Sequence, residues 1–330
     1  MNFEVLTFPI GRCTYDLKLA SNPAMEDHRR NWKRLLKKHK PMQLVAACDA
    51  LTAKLIEQAG FPAYQVGGFA LDGMRFGFPD MDVSRLGEKS GAVRDIIHAC
   101  NLPVLVDCDD GYGDEKNVVH TIHIYDDLGA SAIFMEDQKA PKRCGHMGGK
   151  EVIEPKDMVN KIRAACSARR DAEQLFIIAR TDAIAVNGVD DALRRGEMYL
   201  KAGADGVYVE GPRNMKELEA VGRAFKGEPL AVTMLEGGGV TPWASPAEFY
   251  RLGFNMILYP TTLLFRQTRA VQHALADLKA GLPMPEKESV TMDEFEKIVD
   301  IAYWKSIEEK ALPLGERVRQ TINKVVKKIA

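Results

Sequence analysis

The run Leu128-Gly129-Ala130-Ser131-Ala132-Ile133-Phe134-Met135-Glu136-Asp137 contains the unit from which the fold is predicted. Glycine ends a helical pattern, four apolar residues without polar alternation predict a strand buried on both faces, and two acids follow it. Similar units recur, with Gly60, Gly203 and Gly253 each standing a few residues before an apolar run. Eight strand-and-helix units in succession favour a (β/α)8 barrel of the TIM type over a doubly wound open sheet. A GxGxxG motif does not follow the first strand, which lowers the dinucleotide-binding alternative.

The sequence divides into three predicted parts. A polar and basic N-terminal helical extension covers residues 1–40, with one helix near 25–38, and the catalytic barrel covers 41–281. A C-terminal helical arm, 282–330, follows a proline-rich break and carries an amphipathic helix near 291–311. Since such an arm has no place inside a barrel, we expect it to pack on another subunit or, alternatively, to cover its own barrel.

Composition excludes several classes of function. The chain has 330 residues, of which 46% are hydrophobic, enough for a sizeable core. Its net charge of −1 argues against a nucleic-acid or polyanion partner. The six cysteines include no CxxC pair, which fits a reducing compartment without disulfides or zinc. Because no run approaches membrane-spanning length and the N-terminus lacks a signal-peptide pattern, the sequence predicts a soluble, cytoplasmic protein.

Polar residues follow most of the predicted strands, and in a barrel these strand ends share one mouth. They are Asp49, Asp107, Asp109, Glu136, Asp137, Arg180, Asp182, Glu210 and Thr233. Clustered carboxylates repel one another, and oxygen ligands without a histidine pair suit Mg²⁺ or Mn²⁺ better than zinc. Arg180 offers a two-pronged donor for a substrate carboxylate. For any single acid, a salt bridge within the mouth is the alternative interpretation.

The loop after the fourth strand is polar, basic and rich in glycine. Cys144 lies among Lys142, Arg143 and His146, cations that are expected to lower the pKa of its thiol and to hold a reactive thiol or thiolate. The glycine pair 148–149 allows movement, as in a lid over a site. The alternative is a solvated surface loop with an incidental cysteine.

Four motifs, in this order and spacing, resemble the isocitrate lyase and phosphoenolpyruvate mutase superfamily over roughly residues 42–280. They are Asp107-Cys-Asp-Asp-Gly-Tyr-Gly, Glu136-Asp-Gln, Lys142-Arg-Cys-Gly-His-Met-Gly-Gly-Lys and Ala179-Arg-Thr-Asp-Ala. The resemblance implies a barrel whose C-terminal helices are swapped between subunits. It also implies a homotetramer built as a dimer of dimers, with Mg²⁺ in the mouth.

The resemblance also implies roles for single residues. It makes Asp107 the direct metal ligand, with Asp109 and Glu136 acting largely through water and Asp80 as a further acid near the metal. It assigns the backbone amides near Gly67 and Gly68 to the substrate's carboxylate and keto group, and it makes Cys144 the general acid. The candidate site is completed by Lys142, Arg180 and Glu210 as catalytic residues and by Gly145, His146, Arg180 and Thr233 as substrate contacts.

The cysteine loop resembles that of the carbon–carbon lyases of this superfamily. It implies cleavage of a 2-hydroxy di- or tricarboxylic acid, of the 2-methylisocitrate or 2,3-dimethylmalate type, to pyruvate or a related 2-keto acid and a second carboxylic acid. Phe265 departs from the arginine that methylisocitrate lyases use, and Thr233 from a common asparagine. We therefore expect a distal group smaller or less charged than that of methylisocitrate.

Other functions stay open. An oxaloacetate hydrolase or decarboxylase, or a phosphonopyruvate-processing enzyme, would have the same fold. Pro260 stands where oxaloacetate hydrolases carry a serine, which counts against that activity. A non-catalytic barrel subunit is a further alternative, against which the retained Asp107, Glu136, Cys144 and Arg180 argue.

Overall fold

A closed barrel of eight parallel strands forms the centre of the computed structural model, which describes residues 31–313, 315–317 and 319. The strands are β1 (Met42–Ala46), β2 (Tyr64–Val66), β3 (Val104–Asp107), β4 (Ala132–Glu136), β5 (Phe176–Thr181), β6 (Gly206–Val209), β7 (Leu230–Thr233) and β8 (Met256–Tyr259). They neighbour each other in chain order, and pairing of β1 with β8, from Met42–Met256 to Val45–Tyr259, closes the ring. The predicted (β/α)8 fold is confirmed.

Helices surround the barrel and alternate with its strands. They are α1 (Trp32–Lys38), α2 (Ala50–Gln58), α3 (Gly68–Leu71), α4 (Leu86–Ala99), α5 (Glu115–Leu128), α6 (Pro155–Ala168), α7 (Ala183–Asn187), α8 (Val189–Lys201), α9 (Met215–Ala224), α10 (Pro246–Leu252), α11 (Thr262–Lys279), α12 (Met292–Ile298) and α13 (Ile301–Ala311). A π-helical turn, Asp72–Phe76, continues α3. The four glycines predicted to end helices are left-handed, with φ between 81° and 113°, because this conformation turns the chain into the next strand.

The barrel interior is closed from below by α1. Trp32, Leu35 and Leu36 of this helix are buried in one cluster with inward-facing strand residues such as Leu44 and Leu105. A second hydrophobic layer lies between the strands and the outer helices. Of the helix predicted near 25–38, the part from Trp32 to Lys38 is confirmed, and residues 25–30 lie outside the described residues. With its lower end filled by side chains, the barrel opens at the carboxyl ends of its strands.

The predicted helix at 291–311 is wrong in one respect. It is two helices, α12 and α13, because the chain turns at Asp300, whose φ of 59° is left-handed and interrupts the helical hydrogen bonds. Large apolar side chains of α11 and the arm are exposed, among them Val271, Leu275, Leu278, Leu282, Met284 and Trp304. Within the described residues, no helix has both the length and the apolar character needed to cross a membrane.

Candidate active site

Most of the predicted site residues surround one small cavity at the carboxyl ends of the strands. The cavity has a volume of about 40 Å³ and is lined by Gly67, Gly68, Asp80, Asp107, Cys144, Gly145, His146, Arg180, Glu210 and Thr233, together with apolar side chains. The other three predicted residues, Asp109, Glu136 and Lys142, are buried beside it and contact its lining. A cavity of this size leaves no room for a dicarboxylic acid, so a substrate requires the covering loop to open.

Two acids predicted at the mouth lie elsewhere. Asp49 caps α2, where its side chain accepts a hydrogen bond from the Thr52 amide. Asp137 is fully buried outside the barrel wall, where it accepts hydrogen bonds from Tyr199 and Arg195. Successive side chains of a strand point to opposite faces. Because Glu136 faces the mouth, Asp137 points away from it.

Asp107 is held by two backbone amides at the end of β3. Its Oδ2 accepts a hydrogen bond of 3.0 Å from the Gly68 amide, and its Oδ1 accepts one of 2.9 Å from the Asp109 amide. The segment at Gly67 and Gly68 is the start of α3, and Gly68 brings the helix backbone against the acids. A Cβ at Gly68 would lie 3.3 Å from Asp107 Oδ2, so glycine permits this approach.

Two lysines hold the neighbouring acid. Asp109 Oδ1 lies 2.5 Å from Lys142 Nζ, and Asp109 Oδ2 lies 2.5 Å from Lys89 Nζ. Lys142 also pairs with Asp80. Burial opposes ionisation of Asp109, but the two ammonium groups hold the pKa of this carboxyl well below its usual range. For Asp107 burial dominates instead, and the pKa is raised.

The arginine of β5 is engaged with acids on both sides. Arg180 Nη1 lies 3.0 Å from Glu136 Oε2, and Arg180 Nε donates a 2.9 Å hydrogen bond to Asp182 Oδ2. Its guanidinium also lies over the ring of Tyr208, at 5.3 Å from the centroid. Burial nevertheless raises the pKa of Glu136 well above its ordinary value, and its Oε1 has no hydrogen-bond partner.

The donor set fits a divalent cation. Seven carboxylates meet at or beside the mouth: Asp72, Asp80, Asp107, Asp109, Glu136, Asp182 and Glu210. Among the described residues, four lysine and arginine side chains form ion pairs with these carboxylates: Lys89, Lys142, Lys150 and Arg180. In the described part of the chain, no three acidic, histidine or cysteine side chains are grouped to hold an ion by themselves. Mg²⁺ usually takes one or two protein carboxylates and keeps several waters, so it would not require three grouped side chains.

Residues 139–150, the lid loop, lie closed over this cluster. The Cys144 amide donates a 3.0 Å hydrogen bond to the Asp80 carbonyl, and Lys150 Nζ lies 2.9 Å from Asp182 Oδ1. His146 Nε2 lies 2.9 Å from Glu210 Oε1. Three separate strand ends or loops therefore hold the loop in place.

The prediction that neighbouring cations lower the pKa of Cys144 is wrong. The residue is only 7% exposed, and burial, with Asp80 nearby, raises the pKa of its thiol to about 12. The positive charge of Lys142, one of the expected cations, is paired with Asp80 and Asp109. Cys144 is therefore a protonated thiol at neutral pH, suited to donating a proton rather than to attacking as a thiolate.

Sequence reasoning missed three site residues. The Tyr208 hydroxyl is bonded to Glu210 and Thr233, and it stands two positions before Glu210, so both face the barrel interior. Lys89 and Asp72 are buried beside Asp109. Lys89 could have been noticed, because it occupies the apolar stripe of α4 three and four residues before Ala92 and Val93.

Comparisons with known proteins agree with this arrangement. A family model described as phosphoenolpyruvate phosphomutase matches residues 32–279. The chain belongs to the isocitrate lyase and phosphoenolpyruvate mutase superfamily. Its members are enzymes that include carbon–carbon lyases and mutases.

Relatives within this superfamily carry different names. The chain is 36% identical over 261 residues to 2,3-dimethylmalate lyase of Eubacterium barkeri, covering 79% of this chain and 88% of that protein. It is also 36% identical over 274 residues to the chloroplastic carboxyvinyl-carboxyphosphonate phosphorylmutase of Arabidopsis thaliana, covering 81% and 80%. A solved structure of oxaloacetate acetylhydrolase with the inhibitor 3,3-difluorooxalacetate matches with a TM-score of 0.81 and 25% identity, covering 86% and 97%. The superfamily is therefore established, while these names differ in the reaction.

Proposed function

We propose that this chain is a Mg²⁺-dependent carbon–carbon lyase that cleaves an alkyl-substituted 2-hydroxy dicarboxylic acid to a 2-keto acid and a second carboxylic acid. The observation that carries the proposal is the buried thiol of Cys144, which a closed loop holds over an acid cluster and whose pKa is raised by burial. Cleaving a carbon–carbon bond leaves an electron pair on carbon, and a neutral acid shielded from water is what the second product needs.

Asp107 would hold the ion directly, and Asp109, Glu136 and Asp80 would hold its water molecules. Mn²⁺ could replace Mg²⁺ on such oxygen ligands. When bound, the ion supplies positive charge that orients the substrate's oxygens and stabilises negative charge developing on them. The unpartnered Oε1 of Glu136 and the excess of carboxylates over fixed cations support this assignment.

The protein's own groups would carry the protons. The Gly67 and Gly68 segment and the side chains of His146 and Thr233 line the cavity and would orient the substrate. The hydroxyl proton would pass to Glu210, an ionised carboxylate on the cavity wall whose pKa is lowered, despite burial, by Arg180 and His146. As the C–O double bond forms, the adjacent C–C bond breaks and leaves its electron pair on the departing fragment.

Cys144 completes the reaction. Its thiol would donate its proton to the carbon of the departing fragment, which becomes the second carboxylic acid. When the lid loop opens and water enters, the resulting thiolate would recover a proton and Glu210 would release the proton that it took from the substrate. Lys142, which connects the loop to Asp80 and Asp109, would position the cysteine relative to the acids.

The cavity favours an uncharged substituent, because part of its lining is apolar. Phe69, Leu235, Leu258 and Pro260 line it, and the basic residues of the lining are Arg180 and His146, both already paired with acids. A third carboxylate, as in 2-methylisocitrate, would therefore lack a counter-charge there. The similarity to 2,3-dimethylmalate lyase supports a dialkylated malate as the substrate type.

Oxaloacetate hydrolysis is the second candidate, supported by the fold similarity to oxaloacetate acetylhydrolase. The apolar Pro260 on the cavity wall supplies no hydroxyl at that position. A phosphonate substrate is less compatible, because three negative charges would face an acid-rich mouth whose lysines are already paired.

The assembly is proposed to be a homotetramer built from dimers that exchange their C-terminal arms. A groove between α11 and residues 282–290 is apolar and open, with Leu278, Leu282 and Val290 among its lining residues. Apolar surface of this extent usually marks a protein–protein interface. The arm of a second copy is the occupant that we propose.

Analysis of the products formed from a panel of substrates, with 2-keto acid, oxalate and phosphate each measured, tests the function. The panel contains 2,3-dimethylmalate, 2-methylisocitrate, isocitrate, oxaloacetate and phosphonopyruvate, each with Mg²⁺ and with a chelator. We expect Mg²⁺-dependent cleavage of the dialkylated malate, with the tricarboxylic acids slower. Cleavage of oxaloacetate or phosphonopyruvate alone, or full activity in chelator, would contradict the proposal.

A further inference from the structure

Lys89 is a buried lysine that the proposed reaction does not use. It lies on α4, is 1% exposed, and its Nζ lies 2.5 Å from Asp109 Oδ2 and 3.4 Å from Asp72 Oδ2. Asp72, on the π-helical turn, is fully buried and accepts a 2.5 Å hydrogen bond from the Ser84 hydroxyl. Withdrawing charges from water costs several kcal/mol per ion, and apolar side chains often serve stability equally well. A role in fold stability alone therefore explains Lys89 poorly.

The two lysines on Asp109 belong to different parts of the protein. Lys142 is on the lid loop and pairs with Asp109 Oδ1, whereas Lys89 is on the framework helix α4 and pairs with Oδ2. Because the small cavity requires the loop to open for substrate, the Lys142 contact is temporary. Lys89 also pairs with Asp72, which in turn accepts a hydrogen bond from Ser84. Neither residue belongs to the lid loop, so these contacts of Lys89 do not depend on closure.

We propose that Lys89 is a positioning residue that keeps Asp109 in place and weakens the binding of the divalent cation. Its ammonium occupies one oxygen of Asp109 and adds positive charge beside the acids, which opposes a second cation by Coulomb repulsion at short range. The metal would then exchange readily while the lid loop is open. Closure of the loop adds the positive charge of Lys142 beside Asp109. This inference rests on the proposed metal site.

Direct Mn²⁺ binding to the substrate-free protein tests the inference without an activity assay. Mn²⁺ is titrated into wild type and Lys89→Met, and free ion is followed by electron paramagnetic resonance. Removing a unit charge a few ångströms from a divalent ion should lower the Mn²⁺ Kd by about tenfold or more, as the Coulomb interaction in a partly buried site predicts. Lys161→Met is the matched control. Lys161 is also buried but donates to the Asp110 carbonyl rather than to a carboxylate, so its loss should change the Kd much less.

Each outcome decides the question. An unchanged or higher Kd in Lys89→Met, with wild type binding normally, overturns the role of Lys89 and leaves the proposed metal site intact. Failure of folded wild type to bind Mn²⁺ overturns both. Lys89→Met leaves Asp72 without its cation and can fail to fold. The double variant with Asp72→Asn removes both charges, and the introduced amide oxygen can still accept a hydrogen bond from Ser84. Its Kd should also fall, by a smaller factor, and a Kd at or above that of wild type overturns the inference.

Discussion

His146 Nε2 lies 2.9 Å from Glu210 Oε1, while His146 Nδ1 accepts a 3.0 Å hydrogen bond from the Val240 amide. The ring therefore connects the lid loop both to an acid of the barrel mouth and to the loop after β7. Because Nδ1 accepts, the proton of a neutral ring is on Nε2, the nitrogen that lies close to Glu210. The loop is thus seated by the same carboxylate that we propose as the proton acceptor.

Gly145→Ala should prevent this seating. A Cβ at Gly145 would lie 2.5 Å from Glu210 Cγ and would also meet the Arg180 guanidinium, so the loop cannot close without a shift. Turnover should fall by about 10²-fold, the effect of roughly 1 Å of misplacement at a reacting centre. Alkylation of Cys144 by iodoacetamide should become faster, because the thiol is uncovered.

The control for that variant is Gly148→Ala on the same loop, where a Cβ would have no neighbour within 4 Å. It should keep wild-type turnover and labelling rates. Equal loss of turnover in both variants would show that loop flexibility, rather than closure against Glu210, limits the reaction.

Cys144→Ser should lower turnover by about 10² to 10⁴-fold, the usual contribution of a positioned general acid. A hydroxyl is a far weaker acid than a thiol, and the side chain keeps its shape. Mn²⁺ affinity should not change, since the sulfur is not proposed as a ligand. Cys166→Ser is the control, because Cys166 bonds the Gly203 carbonyl away from the mouth. Wild-type turnover in Cys144→Ser would remove the main support for the lyase.

The thiol of Cys144 should stay protonated well above neutral pH. A raised pKa favours the neutral form, so with a pKa of about 12 the proton is lost only in strongly alkaline solution. The ultraviolet difference absorbance between wild type and Cys144→Ser should show no thiolate up to about pH 9, where an ordinary cysteine is largely ionised. A thiolate signal already present at neutral pH would contradict general-acid catalysis by this residue.

Asp107→Asn should weaken Mn²⁺ and Mg²⁺ binding beyond rescue at ordinary metal concentrations and abolish turnover. The amide removes the charge of the proposed direct ligand while keeping its shape. Chelator should likewise stop the wild-type enzyme, and Mg²⁺ or Mn²⁺ should restore it. Asp49→Asn is the control, since asparagine caps a helix as well as aspartate and Asp49 lies away from the mouth. Calorimetric titration with each metal makes the comparison.

Removal of everything after Gly281 should reduce the assembly from tetramer or dimer toward monomer or aggregate, as measured by light scattering. The residues removed include α12 and α13, which carry the exposed Trp304. Leu278→Asp should have a similar effect, because this α11 residue is 72% exposed and lines the apolar groove. Leu55→Asp, at an exposed position of the barrel helix α2, is the control and should leave the mass unchanged. A monomeric wild type would exclude the proposed exchange of arms.

The barrel could be predicted because its signals are local and repeated. Each buried strand is a short apolar run, and the four glycines predicted to precede strands have a left-handed backbone in the structure. The acids of the mouth could be predicted for the same reason, since position relative to a strand end decides which way a residue faces. The prediction for Asp137 was wrong. Side chains alternate along a strand, so Asp137, one position after Glu136, points away from the mouth.

The environment of Cys144 could not be predicted in this way. Neighbours along the chain suggested a lowered pKa for Cys144, but burial raises it, with Asp80 from a distant segment adding to the effect. Lys142, one of those neighbours, is engaged by Asp80 and Asp109. Lys89 and Asp72 were missed because a single charged residue in an apolar pattern carries no sign of its partner. The order of residues along the chain does not show which charged side chains pair across long distances.

The pairing of β1 with β8 has a consequence for how the molecule is made. The ring cannot close until Tyr259 has left the ribosome, long after the strands carrying Asp107 and Glu136 have been synthesised. Until then the barrel mouth is incomplete, so the acids cannot be fully enclosed by it. Withdrawal of the acids from water is thereby deferred to the final stage of folding, when their lysine and arginine partners are already present in the chain.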